Sequence, residues 1–109
     1  PLDEPQRVVL TQDRRAGAEV AEYLESLGHR HVGLITGPTR YRSAIERGGG
    51  FREGLARRGL SLPESCVYEG GYTFESGVAG AEALLRQTPR PTAIFACNDE
   101  MAAGVYKAA

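Results

Sequence analysis

The chain has 109 residues, 41% of them hydrophobic and 25% charged, and its 13 Lys+Arg against 14 Asp+Glu leave a formal net charge of −1. These are the values of one folded domain; they exclude a disordered tail and a second domain, and with no basic excess these residues alone are not expected to bind a phosphate backbone. The uninterrupted apolar runs are far shorter than the roughly 20 residues that span a bilayer, and no basic-then-apolar leader precedes them, so neither a membrane segment nor an export signal is expected.

Taken in chain order, Arg7 to Thr11 reads as a strand, and Asp13 as the N-cap of a helix whose Val20, Ala21, Leu24 and Leu27 share one face and which Gly28 closes. His31 to Thr36 is nearly all apolar, as in a strand buried on both faces of a parallel sheet, and Gly37 and Pro38 end it. A second helix is predicted from Ser43 to Arg58, with Ala44, Gly48, Phe51 and Leu55 inward and Gly59 as its stop. Gly48-Gly49-Gly50 interrupts it at a cost of about 1 kcal/mol per glycine relative to Ala, which predicts either a kink or a neighbour packed so closely that a Cβ would clash, a close helix–sheet contact being the plainest such neighbour. Cys66 to Glu69 is a third strand. Gly70-Gly71-Tyr72 is a turn, and Thr73 caps a helix with Val78, Ala81, Leu84 and Leu85 on one face. Pro89 and Pro91 frame the next loop, Thr92 to Cys97 is a fourth strand, and Asn98-Asp99 opens a last helix that is still running at Ala109.

Four β-α repeats predict an α/β fold, a three-layer α/β/α unit around a doubly wound parallel sheet. Ligands bind such sheets beyond the carboxyl ends of the strands, so the loops Gly37 to Ser43, Gly70 to Thr73 and Asn98-Asp99 should share one functional rim.

On that rim, Arg47 follows Ser43 by one helical turn, and its five donors suit sugar hydroxyls or a carboxylate; the same side chain could instead pair with Glu46 or Glu53. Tyr72 is placed either to stack on an apolar ligand face or to sit as an ordinary surface aromatic. Asn98 and Asp99 are placed to cap the last helix or to bind the hydroxyls of one ligand. His29 and His31 flank Arg30 at the opposite end of the sheet, where a structural role is expected. Cys66 and Cys97 stand 31 positions apart without CxxC spacing, which predicts reduced thiols and no metal site. There is no GxSxG, HExxH or GxGxxG, and Asp13, Asp99 and Glu100 lack a paired spacing, so neither an enzyme nor a cofactor is expected.

Four stretches, taken in order, resemble the signatures of the LacI/GalR transcriptional regulators: Leu27-Gly-His-Arg-His-Val-Gly-Leu-Ile-Thr-Gly-Pro38, Arg47 followed by Gly50-Phe51, Gly71-Tyr-Thr-Phe-Glu-Ser-Gly77, and Arg90-Pro-Thr-Ala-Ile-Phe-Ala-Cys-Asn-Asp-Glu-Met-Ala-Ala-Gly104. The resemblance implies a type I periplasmic-binding-protein-like effector domain. Residues 16–109 would form an incomplete C-terminal subdomain, and residues 1–15 a strand and connection from an N-terminal subdomain. A helix-turn-helix head would lie outside the chain. It further implies a cytoplasmic homodimer, joined through the helices that begin at Thr73 and Asp99, in which a sugar or purine-like effector closes two subdomains and changes the grip on operator DNA. Carried over by position, Arg47 anchors the effector with Tyr41 and Ser43 beside it, Tyr72 stacks on it, and Asn98 and Asp99 bind its hydroxyls. An exported sugar-binding protein of an ABC transporter is the alternative, since it shares a run much like Asn98 to Ala102; Gly28-His-Arg30 and Tyr72 to Gly77 favour the regulator.

Overall fold

The computed structural model describes residues 3–109, with side chains from Asp13 onward. Its elements are α1 (Asp3–Ser26), β1 (Val32–Thr36), α2 (Arg42–Arg57), a 3-10 turn (Glu64–Cys66), β2 (Val67–Glu69), α3 (Phe74–Leu85), β3 (Ala93–Ala96) and α4 (Asp99–Ala108). The three strands form one parallel sheet in the order β2-β1-β3. Leu34 pairs with Val67 on one side of β1 and with Phe95 on the other. The α/β/α class is as expected from the sequence; the number of strands is not.

The strand expected over Arg7 to Thr11 is helical, continuous with α1. Val8, Val9 and Leu10 suit a strand only where a neighbouring strand offers hydrogen bonds, and no strand in the described sheet pairs with them. No Gly or Pro separates Gln6 from Ala16, so nothing local breaks a helix there. Over residues 3–15 the expected strand and connection are therefore replaced by helix, and Pro1 and Leu2 lie outside the described residues. Asp13 in consequence is not an N-cap but a mid-helix residue.

The ends of α1 and α2 are set by glycine. Gly28 and Gly59 take the left-handed conformation, with φ of 89° and 72°. Each is followed by a backbone N–H that reaches back to the helix, His29 to the Leu24 carbonyl at 3.1 Å and Leu60 to the Leu55 carbonyl at 3.0 Å. This is the six-to-one closure that a helix terminus needs to satisfy its last carbonyls. At the other end of the domain Thr73 caps α3 with a reciprocal pair of bonds to Ser76, as the sequence predicts for its N-terminus.

Alternation along β1 builds the three layers. Leu34 and Thr36 face α2 at Gly48, whereas Gly33 and Ile35 face α3 at Leu84 and Gly80. Helices α1 and α2 pack together on one face and α3 and α4 on the other. Phe51, Leu34, Ile35, Leu55, Leu84 and Met101 are fully buried between them, and the rings of Phe51 and Phe95 meet at 5.0 Å.

Of the expectations for the glycine triplet in α2, the close approach holds, but its neighbour is not the sheet. Only Gly48 faces the sheet, and a Cβ there would make ordinary contacts of 3.8 Å with Leu34 and Thr36. Gly50 is where the close approach occurs, and its neighbour is α1: an added Cβ would fall on the Arg14 carbonyl oxygen. From the facing side, a Cβ on Gly17 would meet the Arg47 carbonyl and lie 2.7 Å from the Phe51 nitrogen. Buried Asp13, Gly17 and Ala21, spaced by four, are the stripe of α1 that lies against α2. Two arginines brace this seam. Arg14 Nε donates to Glu46 at 2.7 Å and its Nη1 reaches Glu53, while Arg58 reaches Glu22 at 2.9 Å.

Candidate functional site

Arg47 lies on the second turn of α2, partly exposed at 31% of its side chain, between α1 and the carboxyl end of β3. Its Nη2 donates to Asp13 Oδ1 at 2.6 Å, and its Nη1 donates to the Cys97 carbonyl. The alternative partners Glu46 and Glu53 are instead held by Arg14, so the acid that fixes Arg47 comes from 34 residues earlier in the chain. Two of its five N–H groups are thereby committed, and three remain for a ligand.

Tyr72 occupies the turn after β2 with φ of 66°, the one non-glycine residue in the left-handed region among the described residues. A residue held there costs on the order of 1 kcal/mol or more and persists only where its surroundings hold it. Two contacts do so: Asn98 Nδ2 donates to the Tyr72 carbonyl at 3.1 Å, and the Tyr72 ring lies directly over Gly37, where a Cβ would strike it. Tyr41, the residue before α2, stacks on the Tyr72 ring with centroids 6.0 Å apart and planes 18° apart. Arg40 caps that pair, its guanidinium carbon 4.8 Å from the Tyr41 centroid.

Of the two roles weighed for Asn98 the fold uses the cap, and the side chain adds a contact to the Tyr72 loop. Its Oδ1 accepts from the Met101 N–H at 2.9 Å, capping α4, while its Nδ2 holds the Tyr72 loop. One amide hydrogen and one lone pair remain. Asp99 is exposed on the first turn of α4, where the helix dipole favours its charge. Ser43 is half-buried on the first turn of α2 and makes no hydrogen bond to the other five candidates among the described residues. The structure thus gathers Arg47, Asn98 and Asp99 at one groove and pairs Tyr41 with Tyr72 beside it.

That groove is open and encloses about 400 Å³. Ala16 and Val20 of α1, Phe95 of β3 and Ala102 of α4 are among its apolar lining, and Arg47, Asn98 and Asp99 are its polar lining. A ligand with one apolar face and one edge of hydroxyls or anionic oxygens matches such a lining. On α1, Ala16 and Val20 line the groove and Asp13 holds Arg47, a pairing that sequence reasoning about the rim does not single out. The signal that could have found it is the four-residue spacing of Asp13, Gly17 and Ala21, which places Asp13 on the stripe facing Arg47.

Cys97 is 2% exposed beneath Arg47. Burial pushes its thiol from an ordinary 9.0 up to about 11, against the opposing pull of the Arg47 charge and a bond with the Gly37 backbone. Both cysteines are free and buried. The expected outcome at pH 8 is that iodoacetamide leaves Cys97 unmodified in the folded chain and labels it in denaturant. The sign for stability follows: the thiol's contribution is complete below about pH 9 and is lost as pH rises towards 11, because the unfolded thiol ionises first. Rapid labelling of folded protein would mean that the rim opens.

Fold and rim together are those of a three-layer α/β domain with a candidate site at the carboxyl ends of its parallel strands. Residues 21–109 match the model of the periplasmic binding protein-like domain. The chain belongs to that family. It is 35% identical over 100 residues to the ribose operon repressor of Haemophilus influenzae, an alignment covering 92% of this chain and 30% of the relative. It is also 35% identical over 95 residues to the HTH-type transcriptional repressor PurR of Klebsiella pneumoniae, covering 87% and 28%. Among solved structures it resembles a sugar-binding transcriptional regulator of the LacI family from Escherichia coli, complexed with phosphate, at a TM-score of 0.83 and 32% identity over 88% of this chain and 34% of that one. The chain spans about a third of the length of these relatives.

Proposed function

We propose that this chain is part of the effector-binding domain of a DNA-binding transcriptional regulator of the LacI type, chiefly its C-terminal subdomain. The observation that carries the reading is Arg47, fixed by Asp13 and the Cys97 carbonyl with three donors left over, in a groove also lined by Asn98 and Asp99. A sugar is the effector class that fits best, since the lining pairs hydroxyl-binding groups with apolar residues and a stacked tyrosine pair. Tyr41, Ser43, Arg47, Tyr72, Asn98 and Asp99 are the proposed contacts. A facing subdomain closes on the bound molecule, and a cytoplasmic homodimer transmits the closure to operator DNA through a head outside these residues. Exposed Phe74 on α3 and Tyr106 on α4 support those helices as the dimer face. The relatives named above are regulators, which favours this reading over a transport receptor; no catalytic step is proposed.

The test uses the whole polypeptide that carries this segment. Pentoses, hexoses, disaccharides and purines are screened by thermal shift, and the hits are added to binding assays on DNA upstream of its own gene. One hit should both stabilise the protein and change its DNA affinity. A protein that binds a sugar tightly and retains no DNA under any condition would overturn the regulator reading and return the transport receptor.

A further inference from the structure

A second cavity lies at the end of the sheet opposite the rim. It encloses about 270 Å³ between the entry to β1, the loop leading into β2 and the loop leaving α3. Arg30, His31, Ser61, Ser65, Gln87 and Thr88 supply its polar lining, and buried Val32 and Cys66 are among its apolar residues. The lining contains a guanidinium, an imidazole, three hydroxyls and a carboxamide, and no carboxylate. Glu64, the acid next to Ser65 in the chain, is paired with Arg52 at 3.1 Å. Arg30 forms no salt bridge among the described residues, as is also true of Arg15, Arg40, Arg42, Arg86 and Arg90, and of these it is the one that lines this cavity.

The backbone that presents Arg30 and His31 is held from below. The Thr92 N–H donates to the His31 carbonyl at 2.7 Å, and the Thr92 hydroxyl donates to the same carbonyl at 3.1 Å. That hydroxyl also lies 2.8 Å from His29 Nδ1. Thr92 thus ties the His29 ring and the His31 backbone together. The structural role expected of the histidine pair is therefore met by His29 and by the His31 backbone, and the His31 side chain is left to line the cavity.

We propose that this cavity binds a small phosphate-bearing anion, either inorganic phosphate or a phosphomonoester. The guanidinium fork matches two phosphate oxygens, and hydroxyl and imidazole donors can take the others. Its volume admits the phosphate together with a short body attached to it. The assignment does not depend on which molecule fills the rim.

Inorganic phosphate and glycerol phosphate are titrated into the whole polypeptide while the His31 ring resonances are followed by NMR. Both should give saturable shifts, and tighter binding of the ester would show that the cavity also holds the ester's body. Arg30→Gln should weaken binding by about tenfold or more, the loss expected for a charge-assisted hydrogen bond. Arg30 is exposed, so its replacement spares the core. Arg15→Gln removes the same charge elsewhere on the surface and should leave binding unchanged. The absence of a saturable His31 shift, or equal weakening by the two substitutions, would overturn the proposal.

Discussion

Arg47→Ala is expected to lower affinity for the effector by about a hundredfold, the loss of one or two charge-assisted hydrogen bonds worth about 1.5–3 kcal/mol each. The same change strands Asp13, whose side chain is only 11% exposed, and should cost roughly 1–3 kcal/mol of folding stability by leaving a nearly buried carboxylate without its partner. Two measurements separate these effects: calorimetric titration of the effector and denaturant unfolding without it. Arg47→Lys sharpens the test. Lysine keeps the charge but has no planar fork with which to reach Asp13 and the Cys97 carbonyl together, so affinity should be recovered only in part. Effector affinity unchanged in Arg47→Ala would sink the assignment of the anchor whatever happened to stability.

Gly50→Ala is expected to destabilise the fold by about 2 kcal/mol, the overpacking penalty being offset by roughly 1 kcal/mol of helix propensity. The added methyl would meet the Arg14 carbonyl, which belongs to backbone and cannot rotate away. Its two neighbours should behave differently. At Gly49 the nearest atom is the Arg14 Nη2, 3.0 Å away at the end of a flexible side chain, and at Gly48 all contacts are ordinary. Gly48→Ala should therefore stabilise by up to about 1 kcal/mol and Gly49→Ala should be near neutral. Three melting curves decide the matter. If Gly50→Ala were as stable as its neighbours, α1 would not lie against α2 at this distance.

This triplet also marks where sequence reasoning succeeds and where it stops. Its glycines predict a close approach, because three of them cost helix stability that only packing can justify, but periodicity within α2 cannot say which surface comes near. The sheet was the expected neighbour, whereas α1 supplies it through a complementary glycine at position 17. Elements that carry their own punctuation were legible to within a residue or two: β1 between His31 and Gly37, α3 behind Thr73, and α4 behind Asn98. The segment before Asp13 was not. Val8-Val9-Leu10 has the composition of a strand and the continuity of a helix, and the difference is settled by whether a strand stands beside it. The rim was legible as three loops because parallel strands must end on the same side. The partner of Arg47 was not, because Asp13 reaches it only through the packing of two helices.

The outer side of β3 has a consequence of its own. Ala93–Ala96 reads Ala-Ile-Phe-Ala, without charge or proline, and its second edge pairs with no strand among the described residues. The opposite edge, β2, is only three residues long and ends in Glu69. One margin of the sheet is thus short and carries a charge while the other is uncharged and unpaired, and the groove lined by Phe95, Ala96 and Ala102 lies along that open margin, so a molecule seated there also shields an edge that would otherwise be free to pair.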